Sequence, residues 1–187
     1  MTTEEQRERE GMIFFALFAL TIPSANWLIG HIGTHCVPDG PCVLPVAPGL
    51  MAPSGVMMVG VALVLRDLVQ RRLGTVMSAL AILFGSALSA MLAPAALVSA
   101  SAIAFLLSEF ADLAVYTPLA RRRLVTAVVA SGLVGLIVDS LVFLWLAFGS
   151  LDFLAGQILG KAWVVLLSIP LVAWLRRRDE RLGIEPA

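Results

Sequence analysis

Residues 121–178 read RRRLVTAVVASGLVGLIVDSLVFLWLAFGSLDFLAGQILGKAWVVLLSIPLVAWLRRR. An Arg cluster stands at each end. Between them run two apolar stretches, about 124–148 and 153–175, joined by a turn without Lys or Arg. A backbone in hydrocarbon must satisfy its own hydrogen bonds, so each apolar stretch of about 20 residues predicts a spanning helix. Together they predict a helical hairpin whose charged ends return to one side of a bilayer. Inside the two stretches lie one carboxylate, Asp139, and one ammonium, Lys161. An ionisable group at that depth is expensive and marks a functional site by default.

The same reading extends to the whole chain of 187 residues, which is 59% hydrophobic with mean hydropathy +0.94. A soluble domain of this size could not hide so much apolar surface. The sequence predicts an all-α membrane protein, a single integral domain over 1–187 with six transmembrane helices in one bundle. The spans are about 12–30, 48–65, 75–92, 95–115, 124–148 and 153–175, with a tight turn at Pro94 between the third and fourth. The stretch from Met12 has no basic region ahead of it and no clear cleavage site, so it reads as a span and not a signal peptide.

Of the 13 basic residues, twelve fall at alternate ends of the six stretches. Arg66, Arg71 and Arg72 follow span two, Arg121, Arg122 and Arg123 follow span four, and Arg176, Arg177, Arg178 and Arg181 follow span six. The other three connections carry none. Basic residues stay on the cytoplasmic side, so both termini are expected there, and Arg7 and Arg9 agree. Net charge is zero, which gives no reason to expect nucleic-acid binding. Small residues four apart (Gly85 with Ser89, Ser131 with Gly135, Gly156 with Gly160) predict close packing of spans three, five and six.

The outer loop, HIGTHCVPDGPCVLPVAP over 31–48, holds the only cysteines. A disulfide between Cys36 and Cys42 suits an oxidising compartment. His31, His35, Cys36 and Cys42 are all potential metal ligands, but their spacing matches no zinc pattern, and no metal is expected. A lid over a cavity that opens outward is a third reading of this loop.

Depth along a helix accrues at about 1.5 Å per residue, which puts Lys161 about 12 Å and Asp139 about 13 Å below the outer surface. They lie at one level on sequential antiparallel helices, and an ion pair or a ligand-bridged pair is expected. Gln157 is one turn outward from Lys161 on the same face, and Asn26 sits in the outer part of span one. Glu109 lies deeper, about 21 Å from the outer end. Asn26, Glu109, Asp139, Gln157 and Lys161 are therefore the candidate substrate-binding residues. Arg66 with Asp67 reads as a structural ion pair, and Asp112 as an interfacial partner of the Arg121–Arg123 cluster.

Four stretches carry a family resemblance: LRDLVQRRLG (65–74), SEFADLAVY (108–116), GLIVDSLVF (135–143) and GKAWVVLLSIPLVAW (160–174). In this order and spacing the chain resembles the vitamin-uptake-transporter-like family of bacterial inner-membrane proteins, the queuosine precursor transporters. That family is similar to the substrate-capturing subunits of energy-coupling-factor vitamin transporters, with six helices. The resemblance implies import of 7-deazaguanines such as 7-cyano-7-deazaguanine. It also implies that Arg66, Asp67, Glu109, Asp112, Asp139 and Lys161 are the polar positions that matter.

The chemistry is compatible with such a ligand. A carboxylate accepts the adjacent N1–H and amine of a deazaguanine, while Lys161, Gln157 or Asn26 donates to its carbonyl and nitrile. Trp27, Phe143, Trp145 and Trp163 are near the right level to stack on a flat ring. No GxxxxGK[ST] motif occurs, since Gly160–Lys161 is followed by Ala162, so no ATP hydrolysis and no cofactor are expected. A gradient, metabolic trapping and a separate ATPase partner stay open as energy sources. A binding subunit for another vitamin and a non-transporting assembly protein remain alternatives. With no HExxH or GxSxG motif, an enzyme is not expected.

Overall fold

The computed structural model describes residues 2–36, 41–93 and 97–187. The elements in order are α1 (Thr3–His31), β1 (His35–Cys36), β2 (Cys42–Ala47), β3 (Leu50–Pro53), α2 (Val56–Leu92), α3 (Val98–Ala120), α4 (Leu124–Phe148) and α5 (Leu154–Leu182). All five helices are long and apolar enough to cross a membrane. The shortest, α3 with 23 residues, is about 34 Å long, against a hydrocarbon core of about 30 Å.

The first helix starts earlier than its apolar stretch. Thr2 caps it: its side chain accepts from the Glu5 N–H while Glu5 accepts from the Thr2 N–H, a reciprocal pair that satisfies two free donors. At the other ends, Gly149 and Gly183 close α4 and α5 in the left-handed region.

The longest helix, α2, is not one rod. Gly74 inside it has φ 84° and ψ 174°, a conformation that glycine adopts at little cost. Val59 and Ser89 line the same cavity, yet thirty residues of straight helix would hold them about 45 Å apart. The chain therefore doubles back at Gly74, and 56–73 lies beside 75–92. The expected connection over 66–74 is corrected accordingly: Arg66, Arg71 and Arg72 belong to the helix and are buried. Their charges are met by carboxylates inside the bundle, so water is not needed to hold them.

A second correction concerns 48–55, expected as the start of span two. These residues form β3 and the turn into α2, within a three-stranded antiparallel sheet of order β1-β2-β3. Ala47 pairs with Leu50, which makes Pro48–Gly49 the two-residue turn. Gly49, at φ 74°, supplies the positive angle that such a turn needs after proline. A run from Val43 to Leu65 with Ser54 as its one polar side chain hid this hairpin, although Pro45, Pro48 and Pro53 are poor residues for a helix interior. The expectation of a purely helical chain is thus short by one small sheet. A disulfide joins Cys36 to Cys42. The turn expected at Pro94, and residues 37–40 of the outer loop, lie outside the described residues.

The sheet closes one end of the bundle. Ser54 Oγ donates to the Leu28 carbonyl at 2.7 Å, and Trp163 Nε1 donates to the Val46 carbonyl at 3.2 Å. Two apolar clusters fill the interior. Phe18, Ile22, Ala62, Val69, Ala81 and Phe105 join α1, both halves of α2, and α3. Leu63, Tyr116, Leu136, Val165 and neighbours join α2 to α5. Large apolar side chains also face outward: Met91 is 81% exposed, Leu167 72% and Trp145 63%. A soluble bundle would bury such residues, whereas lipid accepts them.

Candidate functional site

Towards the sheet end of the bundle lies a cavity of about 100 Å³, room for several water molecules and hence for a small solute. Thr21, Ile22 and Asn26 of α1 line it, as do Pro53 at the end of β3 and Gly55 in the turn into α2. Val59 and Ser89 come from the two halves of α2, Phe105 from α3, Asp139 and Phe143 from α4, and Gln157 and Lys161 from α5. The structure brings together four of the five candidate binding residues: Asn26, Asp139, Gln157 and Lys161.

Lys161 organises this wall. Its Nζ donates to Asp139 Oδ2 at 2.5 Å, to Ser140 Oγ at 2.8 Å and to Gln157 Oε1 at 2.9 Å. The ammonium has three donors, and all three are used. Antiparallel packing of α4 on α5 creates the pair, because both groups sit a similar number of turns from the connection at Gly149. Gln157 accepts through Oε1, which leaves its amide N–H groups for a ligand. Asn26 donates its amide to the Ile22 carbonyl at 3.0 Å, which leaves its own oxygen as an acceptor. The cavity wall therefore carries a carboxylate, an ammonium and two amides between two aromatic rings.

Glu109 is elsewhere. It lies against Arg66, whose Nε donates to Glu109 Oε2 at 3.1 Å, and it does not line the cavity. Arg66 also reaches Asp112 Oδ1 and, through Nη1, Gln70 Oε1 at 3.2 Å. Asp67 lies 2.9 Å from Arg66 Nη2. The structural pair expected between Arg66 and Asp67 is thus part of a larger cluster. Asp112, expected beside Arg121–Arg123, turns inward to Arg66 instead, and those three arginines are exposed. A helix face cannot be assigned from depth alone, and the inward face of α3 is the one that carries Glu109 and Asp112.

The aromatic expectations also change. Only Phe143 of the four lines the cavity, and Phe105 joins it. Trp27 is exposed and stacks on His31, while Trp145 and Trp163 are largely exposed. Two partners were missed, Ser140 for Lys161 and Ser131, which donates to Asp67 Oδ2 at 3.1 Å. Their one signal in the sequence is position: Ser140 adjoins an intramembrane Asp, and Ser131 lies eight residues before it on the same helix face.

A third charged network, also unforeseen, ties the chain ends together. Arg72 donates to both oxygens of Asp179 at 2.9 and 2.8 Å and to Glu10 at 3.0 Å. Arg71 donates to Asp179 at 3.0 and 2.9 Å, and Arg178 donates to Glu10 at 2.5 Å. Burial pushes the Asp179 carboxyl up, but the hydrogen bonds and charges of Arg72 and Arg71 outweigh it and hold it below its usual value. Glu10 is likewise raised by burial, yet held lower overall by hydrogen bonds from Arg178 and Gln6 and by the charges of Arg72 and Arg178.

No curated protein and no solved structure matches the chain. The family described as "putative vitamin uptake transporter" matches residues 75–175, a family of transporters and not of enzymes. The match runs from the second half of α2 through α5 to Leu175, and so includes Glu109, Asp112, Asp139, Gln157 and Lys161. It covers more than half of the chain, and this multi-pass membrane protein belongs to that family.

Proposed function

We propose that this protein imports a queuosine precursor, 7-cyano-7-deazaguanine or a related 7-deazaguanine, across the bacterial inner membrane. In this reading the two halves of α2 cross separately, six crossings leave both termini in the cytoplasm, and the cavity lies in the outer half of the bilayer. Arg71 and Arg72 close to the Gly74 turn, Arg121–Arg123 between α3 and α4, and Arg176–Arg178 near the end of α5 all stand at the end away from the sheet, which supports that orientation.

The observation that carries the reading is the Lys161–Asp139 pair on the wall of a cavity that also holds Gln157, Asn26, Phe105 and Phe143. A buried pair is a poor device for stability alone, because desolvation offsets much of the attraction. As a binding device it has the right parts. Asp139 accepts the paired N1–H and amine of a deazaguanine, the Gln157 amide donates to its carbonyl or nitrile, Lys161 neutralises Asp139 and orients both side chains, and the two phenylalanines hold its ring faces.

Cells lacking their own importer and expressing this protein are expected to accumulate labelled 7-cyano-7-deazaguanine. Lys161→Ala and Asp139→Asn should abolish uptake with normal membrane insertion; full uptake in both would sink the reading. A cysteine placed by Val76→Cys, on an exposed side chain beside the Gly74 turn, should react with an impermeant thiol reagent from the cytoplasmic side alone.

The family description, which speaks of vitamins in general, favours a second reading, a binding subunit for a different vitamin. Thermal shifts across purines and vitamins separate the two, because a ligand that binds only the native state raises apparent stability.

A further inference from the structure

The Arg66 cluster lies between the cavity and the termini end, and the binding reading does not use it. It holds three carboxyl groups, Asp67, Glu109 and Asp112, around a single guanidinium, and all four side chains are at most 2% exposed. With every carboxyl ionised the cluster would carry two uncompensated negative charges. An apolar interior does not tolerate that; a buried charge without a partner neutralises instead.

Among the described residues the surroundings supply no further cation. Arg71 and Arg72, on the same stretch of α2, are bound to Asp179 and Glu10. Lys161 of α5 is matched by Asp139 of α4. Tyr116 of α3 and Ser131 of α4 bring hydroxyls, and Gln70 of α2 brings an amide. The described residues hold no group of His, Cys, Asp and Glu able to seat a metal ion.

Two carboxyl oxygens are also left over. Asp67 Oδ1 and Asp112 Oδ2 are buried with no hydrogen-bond partner among the described residues, and so is the Tyr116 hydroxyl. Arg66 Nη2 is close to Asp67 Oδ1 but is aimed at Asp112 Oδ1, so Asp67 Oδ1 gains charge and no bond. Asp112 Oδ2 faces Gly135: a Cβ at that glycine would be 3.0 Å from this oxygen. Gly135 is one turn from Asp139 on α4. Ala62 and Phe105, one turn from Arg66 and Glu109, line the cavity as well. Helices α2, α3 and α4 therefore build both sites, a single turn apart.

We infer that the Asp67–Glu109–Asp112 cluster around Arg66 is a proton-binding site that couples uptake of the solute to inward movement of a proton. The inference rests on the transport reading for its solute, and on the charge count for its proton. A proton from the sheet side adds to a carboxylate oxygen to make one O–H bond. The same bond breaks when the proton leaves to water at the termini side, and nothing is oxidised or reduced. With two protons the cluster is neutral and with one it carries a single negative charge, so the exchange runs between those two states, with Arg66 always charged.

Two measurements on the full-length protein test this. In detergent near pH 7 without solute, infrared spectra should show the carbonyl stretch of a buried protonated carboxylic acid, diminished in Glu109→Gln and in Asp112→Asn. In liposomes loaded with a pH dye, acid outside should speed uptake of labelled 7-cyano-7-deazaguanine several-fold, with acidification inside that requires the solute. Absence of the infrared band overturns the inference, as does gradient-independent uptake in liposomes that exchange solute normally. If the liposomes take up no deazaguanine, the substrate reading falls, and the infrared band still decides the proton site.

Discussion

Lys161 and Asp139 sit 22 residues apart in sequence and 2.5 Å apart in space, on antiparallel helices that the Gly149 connection brings side by side. Removing one member leaves the other charged and unpaired in the interior, which costs about 3–5 kcal/mol. Lys161→Ala should therefore destabilise the protein more than the double variant with Asp139→Ala. Thermal unfolding in detergent of both single variants and the double checks this. Simple additivity would mean that the two charges do not interact.

Gly135 gives a second handle on packing. A Cβ there would lie 2.7 Å from Leu63 Cδ2, closer than real contacts come, and 3.0 Å from Asp112 Oδ2, tighter than most. Gly135→Ala should cost about 1–3 kcal/mol by overpacking. Gly132→Ala, whose Cβ would come no nearer than 3.2 Å to its nearest neighbour, Val165, is expected to cost less. Unfolding midpoints of the two variants, compared in one detergent, decide the order.

The network at the termini end should make stability depend on acid. Asp179 and Glu10 have carboxyls held below their usual values, so their contribution is complete above the ordinary carboxylate range and fades as pH falls through the lowered values. The loss is expected below about pH 4. Asp179→Asn should cost about 3 kcal/mol at pH 7, because Arg71 and Arg72 lose their shared partner. The gap between wild type and variant should close towards pH 3. A gap that stays constant with pH would mean that the charge of Asp179 is irrelevant.

The Cys36–Cys42 bond closes a short loop with a sequence separation of 6. Loop-closure entropy for such a loop is worth about 2 kcal/mol. Reduction, or Cys36→Ser with Cys42→Ser, should lower the unfolding midpoint by that much. The local effect should fall on the sheet, which Ser54 and Trp163 anchor to α1 and α5. Proteolysis of the segment before Cys42, faster after reduction, would report it.

Long apolar stretches and their charged ends are local properties, and they were legible throughout: each helix of the bundle covers one or two of them. The hairpin at Pro48–Gly49 was legible in principle, since proline followed by glycine specifies its turn, but it was masked by the apolar residues around it. The meeting of Lys161 with Asp139 could be anticipated because two consecutive antiparallel helices leave little freedom in depth. Glu109 could not be assigned in the same way. Depth places a residue along a helix axis but not around it, and the rotation of α3 depends on which neighbour it packs against.

Sequence alone determined that this chain lives in a membrane and that Lys161 had to find a carboxylate there, because burying a charge in hydrocarbon forces a partner on it. Tertiary structure decided which carboxylate served which cation. Arg66 gathers Asp67, Glu109 and Asp112 from two helices, while Arg71, Arg72 and Arg178 share Asp179 and Glu10. These partners are up to 168 residues apart, and only packing, which sets each helix's rotation and neighbours, brings them within reach.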